Sequence, residues 1–345
     1  MLATDLVLAP AIPSNTARAG GVVNPILISI SEAYESRPDD GTARRLGSYL
    51  TLTAFNVNCV TSAMFVTAMA ANPLAQELAN KMGIKISWGK WALAAFVPGI
   101  VSLILLPWLI SKIYPPDVTK TPEATGAAKK KLQAMGALTS PEKIMLGAFG
   151  GLLLLWTLGD QLWGITATAA ALAGLAVLLL TKVLTWDDIK KESGAWDTLV
   201  WFAVLVMMAT KLNEFGLIKW FSGEMASLVS GMGWMWAFVI LSLAYFYSHY
   251  AFASNTAHVA AMYAAFLATA VAAGAPPLFA ALVFGFESSL FASLTHYSCG
   301  PAPVMFGNGY VPLGDWWKHG FVVSVANIVV WTSVGGVWMK VLGIW

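Results

Sequence analysis

Charge is scarce in this sequence: 20 Lys and Arg and 18 Asp and Glu among 345 residues, 11% of the chain, where a soluble globular domain carries about 25%. The shortage is uneven, leaving uncharged stretches at 46–76, 91–111, 161–181, 225–286, 288–314 and 319–339. Each reaches the roughly 18–20 residues that cross a hydrocarbon core as a helix. A soluble fold is excluded, and an all-α, multi-pass membrane protein is predicted, because only helices or closed barrels satisfy every backbone polar group in lipid. Cysteine is nearly absent as well. Cys59 and Cys299 both fall inside uncharged stretches, which excludes a disulfide framework or a zinc cluster and predicts two buried thiols. The net charge is only +2, with the basic residues dispersed in loops, so nucleic acid is excluded as a partner and the lipid bilayer is the expected surroundings.

The charges that are present bunch into hydrophilic segments at 31–47, 112–143 and 182–197, rich in Arg37, Arg44, Arg45, Lys112, Lys129, Lys130, Lys131, Lys190 and Lys191. By the positive-inside rule these face the cytoplasm, as in a bacterial inner-membrane protein. Tryptophans 316, 317, 331, 338 and 345 are expected to anchor the last span at the interface.

A repeat lies beneath this pattern. Ser14-Asn15-Thr16-Ala17 recurs as Ser254-Asn255-Thr256-Ala257, and Cys59 and Cys299 stand at the same offset from each other. The residue after each copy is basic or protonatable, Arg18 and His258. An apolar run follows each copy, and then a second apolar segment interrupted by polar and breaker residues. The interruptions are Thr61 through Thr67 to Asn72-Pro73, and Thr295-His296-Tyr297-Ser298-Cys299-Gly300-Pro301-Ala302-Pro303. Paired interrupted segments in corresponding halves point to the binding site of a secondary transporter. Ser, Asn and Thr are good helix N-caps, and a helix start at membrane depth offers N–H groups and a positive dipole end to an anion. Two such starts suit a molecule with two carboxylates.

The motifs Pro13-Ser14-Asn15-Thr16-Ala17-Arg18-Ala19-Gly20-Gly21, Trp196-Asp197-Thr198-Leu199-Val200-Trp201-Phe202, Ser254-Asn255-Thr256-Ala257 and Thr295 to Pro303 resemble the divalent anion/sodium symporter family, in particular its di- and tricarboxylate exchanger branch. The resemblance implies inverted repeats, re-entrant hairpins, broken helices, and a homodimer that works as an elevator-type carrier of small carboxylate anions. It implies substrate contacts at Ser14, Asn15, Thr16, Ser254, Asn255 and Thr256, backed by Thr67 and Thr295. No resident cofactor is implied. Sodium is the coupling ion in symporter members, and would sit at Ser14, Asn15, Ser254 and Asn255; here Arg18, His258 and His296 are expected to replace its charge and so enforce exchange. The expected organisation is the remainder of a first repeat at 1–114, a cytoplasmic connector at 115–142 and a second repeat at 143–345. Ser14 stands close to the start of the chain, with far less sequence before it than the second repeat places before Ser254. The first repeat is therefore expected to lack its scaffold helices and its incoming hairpin limb, as in an N-terminally truncated and inactive fragment. Glu287, isolated between uncharged stretches, is a candidate proton carrier or ion-pair partner. The rival classes are a channel and a hydrolase with Ser298 as nucleophile and His296 as base, but the sequence carries neither rings of charge nor a GxSxG or HExxH motif.

Overall fold

The computed structural model describes residues 1–119, 132–133, 135–192, 196, 200, 203–204, 207–208, 211, 214–228 and 231–345. Lys129, Lys130 and Lys131 of the expected connector, and most of the 196–202 motif, lie outside these residues. The regular elements of the described residues are all helices, with no strand among them. Five of their helices are long and apolar enough to cross a membrane: Trp88–Ile113, Ser140–Gly159, Asn255–Ala272, Pro277–Leu294 and Leu313–Val341.

The chain forms two compact units, one of residues 1–117 with 202–345 and the other of residues 118–201. In the smaller unit two apolar helices, Ser140–Leu154 and Ala167–Leu180, meet where Gly174 lies against Leu152; a Cβ at Gly174 would come within 2.8 Å of the Leu152 side chain. Small residues at such crossings let helices approach where lipid gives no hydrophobic drive between them. Thr139 with Glu142 and Thr185 with Asp188 form capping boxes that fix the starts of Ser140–Leu154 and Trp186–Lys191. The Thr185 hydroxyl and N–H hold the exposed Asp188 carboxylate below its ordinary pKa.

The larger unit holds both Ser-Asn-Thr copies and both interrupted segments. Several of the uncharged stretches are not straight spans, among them 46–76 and 225–286. Residues 46–76 contain the helix Gly47–Met64, which stops at an extended Phe65. Residues 225–286 contain Trp234–Ser248, an extended Ser254, and a new helix from Asn255. The unit's core is dense and aromatic: Trp91 is fully buried, donates to Ala63 O at 2.8 Å and packs edge-on against Phe286. Cys59 and Cys299 are free and buried, as expected. The tryptophan expectation fails at two positions. Trp316 and Trp331 are 1% and 3% exposed, because Trp316 packs on Phe55 and Trp331 donates to Ser102 Oγ at 3.0 Å; they serve the core rather than the headgroups.

Candidate functional site

Both Ser-Asn-Thr copies fold alike, for local reasons. Ser14 Oγ accepts from Ala17 N–H at 3.1 Å, and Ser254 Oγ from Ala257 N–H at 3.3 Å, so each serine caps a helix beginning at the following asparagine. Each helix widens within a turn into a π stretch, Ala17–Val23 and Val259–Tyr263, and the two stretches end at positions that correspond in the repeat. Such single π turns are frequent at functional sites. Before the first tip stands a short helix, Leu2–Leu8, where Trp234–Ser248 stands before the second, so part of the limb that sequence symmetry suggested was absent is in place.

The interrupted segments are broken helices. The first runs Gly47–Met64, becomes extended at Phe65 and Met69, and restarts as Ala71–Lys81. The second runs Pro277–Leu290, tightens over Phe291–Leu294, is extended at Thr295, and restarts as Pro301–Phe306. A helix that stops inside protein leaves free carbonyls, and one side chain serves them in each break. Asn72 Nδ2 donates to Ser62 O and Phe65 O at 2.7 and 2.8 Å. Ser298 Oγ lies 2.5 Å from Ala292 O and 2.9 Å from Thr295 O, its single hydroxyl hydrogen shared between the two. The two pairs of carbonyls share one spacing along their helices, Ser62 with Phe65 and Ala292 with Thr295. With its hydroxyl committed to these carbonyls and fully buried, Ser298 has a structural task, which removes the basis for the hydrolase reading.

The two tips converge on the first break. Asn15 Nδ2 lies 4.0 Å and Asn255 Nδ2 3.5 Å from Met69 Sδ. Thr16 also reaches the second break, where its Oγ1 would be 2.1 Å from a Cβ at Gly300. Ser14 is exposed, Asn15, Thr16, Ser254 and Thr256 are half-buried, and Asn255 is buried. Thr67 Oγ1 donates to Pro10 O at 2.8 Å and accepts from Trp88 Nε1 at 3.1 Å, tying the first tip to its break. Thr295 is fully buried, and its hydroxyl has no hydrogen-bond partner among the described residues; the same is true of Asn255 Oδ1. His296 is half-buried and takes the Trp317 indole N–H at 3.2 Å. Sequence reading gave no site role to Met69, Asn72 or Asp5, although Asn72 stands among the interrupting residues. Asn72 and Asp5 carry signals, a polar residue placed just past a break and the one charged residue before Arg18, whereas Met69 does not stand out from its neighbours.

Arg18 is placed otherwise than expected. Its fully buried guanidinium pairs with Asp5, Nε to Oδ1 at 3.0 Å, and donates to Ile12 O, Ala68 O and Ser62 Oγ. Asp5 also accepts from Asn58 and Thr61. The charge of Arg18 is therefore neutralised within the protein, and an empty site made too positive to reorient by Arg18 is not what this geometry provides. In the register set by the two Ser-Asn-Thr copies, Asp5 and Arg18 correspond to Tyr245 and His258. Tyr245 meets the Ser288 hydroxyl at 2.8 Å and packs on the His258 ring. His258 contacts Ser248 Oγ at 3.1 Å and His249 Nδ1 at 2.9 Å, stacked against Phe252. An ionic cluster in one half thus corresponds to an aromatic one in the other. Glu287 is buried with one oxygen on the Ser242 hydroxyl and the other unpartnered; no cationic side chain pairs with it among the described residues. No group of His, Cys, Asp and Glu among the described residues is arranged to hold a metal.

Chemically, the convergence presents two amide N–H₂ groups to one point, an arrangement suited to an acceptor-rich anion. The family model for the sodium:sulfate symporter transmembrane region matches residues 1–345. A Bacillus subtilis protein proposed to be a malate transporter is 57% identical over 346 aligned positions, covering 100% of this chain and 72% of that protein. The chloroplastic dicarboxylate transporter 1 of Spinacia oleracea is 49% identical over 99% of this chain and 60% of its own length. The L-tartrate/succinate antiporter of Escherichia coli is 36% identical over 98% and 70%. The chain thus spans between three fifths and three quarters of these relatives.

Proposed function

We propose that this chain, which belongs to the sodium:sulfate symporter transmembrane family, moves dicarboxylates across the membrane by exchange, holding the anion between the Ser14-Asn15-Thr16 and Ser254-Asn255-Thr256 tips. One observation carries the reading: the corresponding asparagines of the two copies bring their amide donors to the same sulfur atom. Tips that converge so closely suit one small dianion, with each helix start facing one carboxylate. Relatives named for malate, dicarboxylate and tartrate/succinate transport support the same substrate class.

Exchange is favoured over sodium coupling because Arg18 already serves the Ala68 carbonyl of the first break, where a mobile cation would look for oxygen ligands. His258 occupies the matching position in the second half, within its own ring cluster. Swapping one dianion for another moves no net charge, so the cycle needs no accompanying ion. The homodimer and elevator motion implied by the sequence resemblance belong to this proposal. Sodium-coupled uptake is the second reading, favoured by the unpartnered oxygens of Asn255 and Thr295, which are the ligand type a hard cation takes.

The test is labelled succinate uptake into proteoliposomes, with or without internal malate, in Na⁺ and in K⁺. Uptake should need internal malate and be the same in K⁺. Strong uptake into empty vesicles that requires Na⁺ would replace exchange by symport.

A further inference from the structure

We infer that Met69 competes with the substrate for the two tip asparagines, so that its thioether sets how tightly the site binds. The inference rests on the dicarboxylate reading above and concerns a residue that neither the repeat nor the motifs single out.

Asn15 spends its Oδ1 on the Thr16 N–H at 3.0 Å, which leaves its N–H₂ group to face Met69 Sδ at 4.0 Å. Asn255 is 6% exposed; its N–H₂ lies 3.5 Å from the same sulfur, and its Oδ1 has no partner. A thioether is a weak acceptor, so two amides resting on one sulfur are poorly satisfied, and for Asn255 the deficit falls on a buried group. A carboxylate oxygen is a much stronger acceptor for the same donors. Both amides gain by exchanging the sulfur for a carboxylate.

Met69 is suited to give way. It sits in extended backbone (φ −156, ψ 159) between the helix ends, outside the rows of a regular helix. Its unbranched side chain with three rotatable bonds adapts to different surroundings at little cost. The arrangement satisfies the tips weakly enough for an anion to displace the sulfur, yet keeps the asparagines aimed at one point.

The purified full chain carries 14 methionines. Labelled at the methionine methyl carbon and held in nanodiscs, it reports on Met69 directly by NMR, the signal being identified by its loss in Met69→Leu. Succinate should move the Met69 resonance saturably. Met69→Gln supplies both amides with a strong neutral acceptor, and should weaken succinate binding about tenfold, the factor that one ordinary hydrogen bond makes. In exchange assays that change should appear in the half-saturating concentration and leave the maximal rate alone. Met69→Leu, which offers no acceptor, should bind at least as tightly as the unaltered chain. If succinate binds by calorimetry while the Met69 signal stays still and both variants bind as the unaltered chain does, the inference falls and the dicarboxylate reading stands. If neither succinate nor malate binds the unaltered chain, both fall.

Discussion

Arg18 shows how much a single residue's role depends on what it meets. From the sequence it is a cation beside a candidate anion site; in the fold it belongs to Asp5, Ser62, Ala68 and Ile12. Removing one partner of a buried pair strands the other, at a cost of about 3–5 kcal/mol. Arg18→Ala should therefore lower the thermal midpoint in detergent sharply, and adding Asp5→Leu should recover most of the loss by removing the stranded carboxylate. An unchanged midpoint in Arg18→Ala would show the pair to be idle. The same logic separates the two halves: His258, in the equivalent position, has ring and hydroxyl partners and no buried carboxylate in contact with it among the described residues, so its replacement strands no charge there.

The elements were legible from sequence where their causes are local. A capping serine and the apolar run behind it specify a helix start over a single turn, and both tips form where the repeat places them. The existence of two breaks was legible too, from polar and proline residues inside uncharged stretches. How the broken ends are satisfied was not, because the donor comes from beyond the break. Asn72→Ala removes both of these donations and leaves Ser62 O of a buried helix end unserved, while Phe65 O keeps the Ala68 N–H at 3.0 Å, a loss of about 1–3 kcal/mol. Hydrogen exchange of the Gly47–Met64 helix should reveal it as increased opening of the last turn. Protection equal to that of the unaltered chain would mean that the carbonyl finds another donor.

Over the whole larger unit, the parts are held by contacts between residues far apart in the chain. Ser289 Oγ donates to Cys59 O at 2.8 Å, joining the two broken helices. Gly320 lets the helix Leu313–Val329 lie on the second break: a Cβ there would stand 2.3 Å from Ser293 O and 3.0 Å from Leu294 O. Those are backbone atoms of a packed element and cannot swing aside, so Gly320→Ala should cost about 1–3 kcal/mol by overpacking, read as reduced thermal stability with the larger loss in succinate affinity that a shifted break would cause. Stability and affinity equal to the unaltered chain would show the helix to be free to move away. Composition, repeat and capping pattern determined by themselves that this chain spans a membrane as helices, that it carries two matched Ser-Asn-Thr helix starts, and that two of its apolar stretches are interrupted, because charge content, capping and breakers act over short range. Only the tertiary structure decided that the tips meet at Met69, that Arg18 is neutralised by Asp5, and that Trp316 and Trp331 are buried. Those outcomes rest on packing between segments far apart in the chain, and short-range signals carry no information about which surfaces will meet.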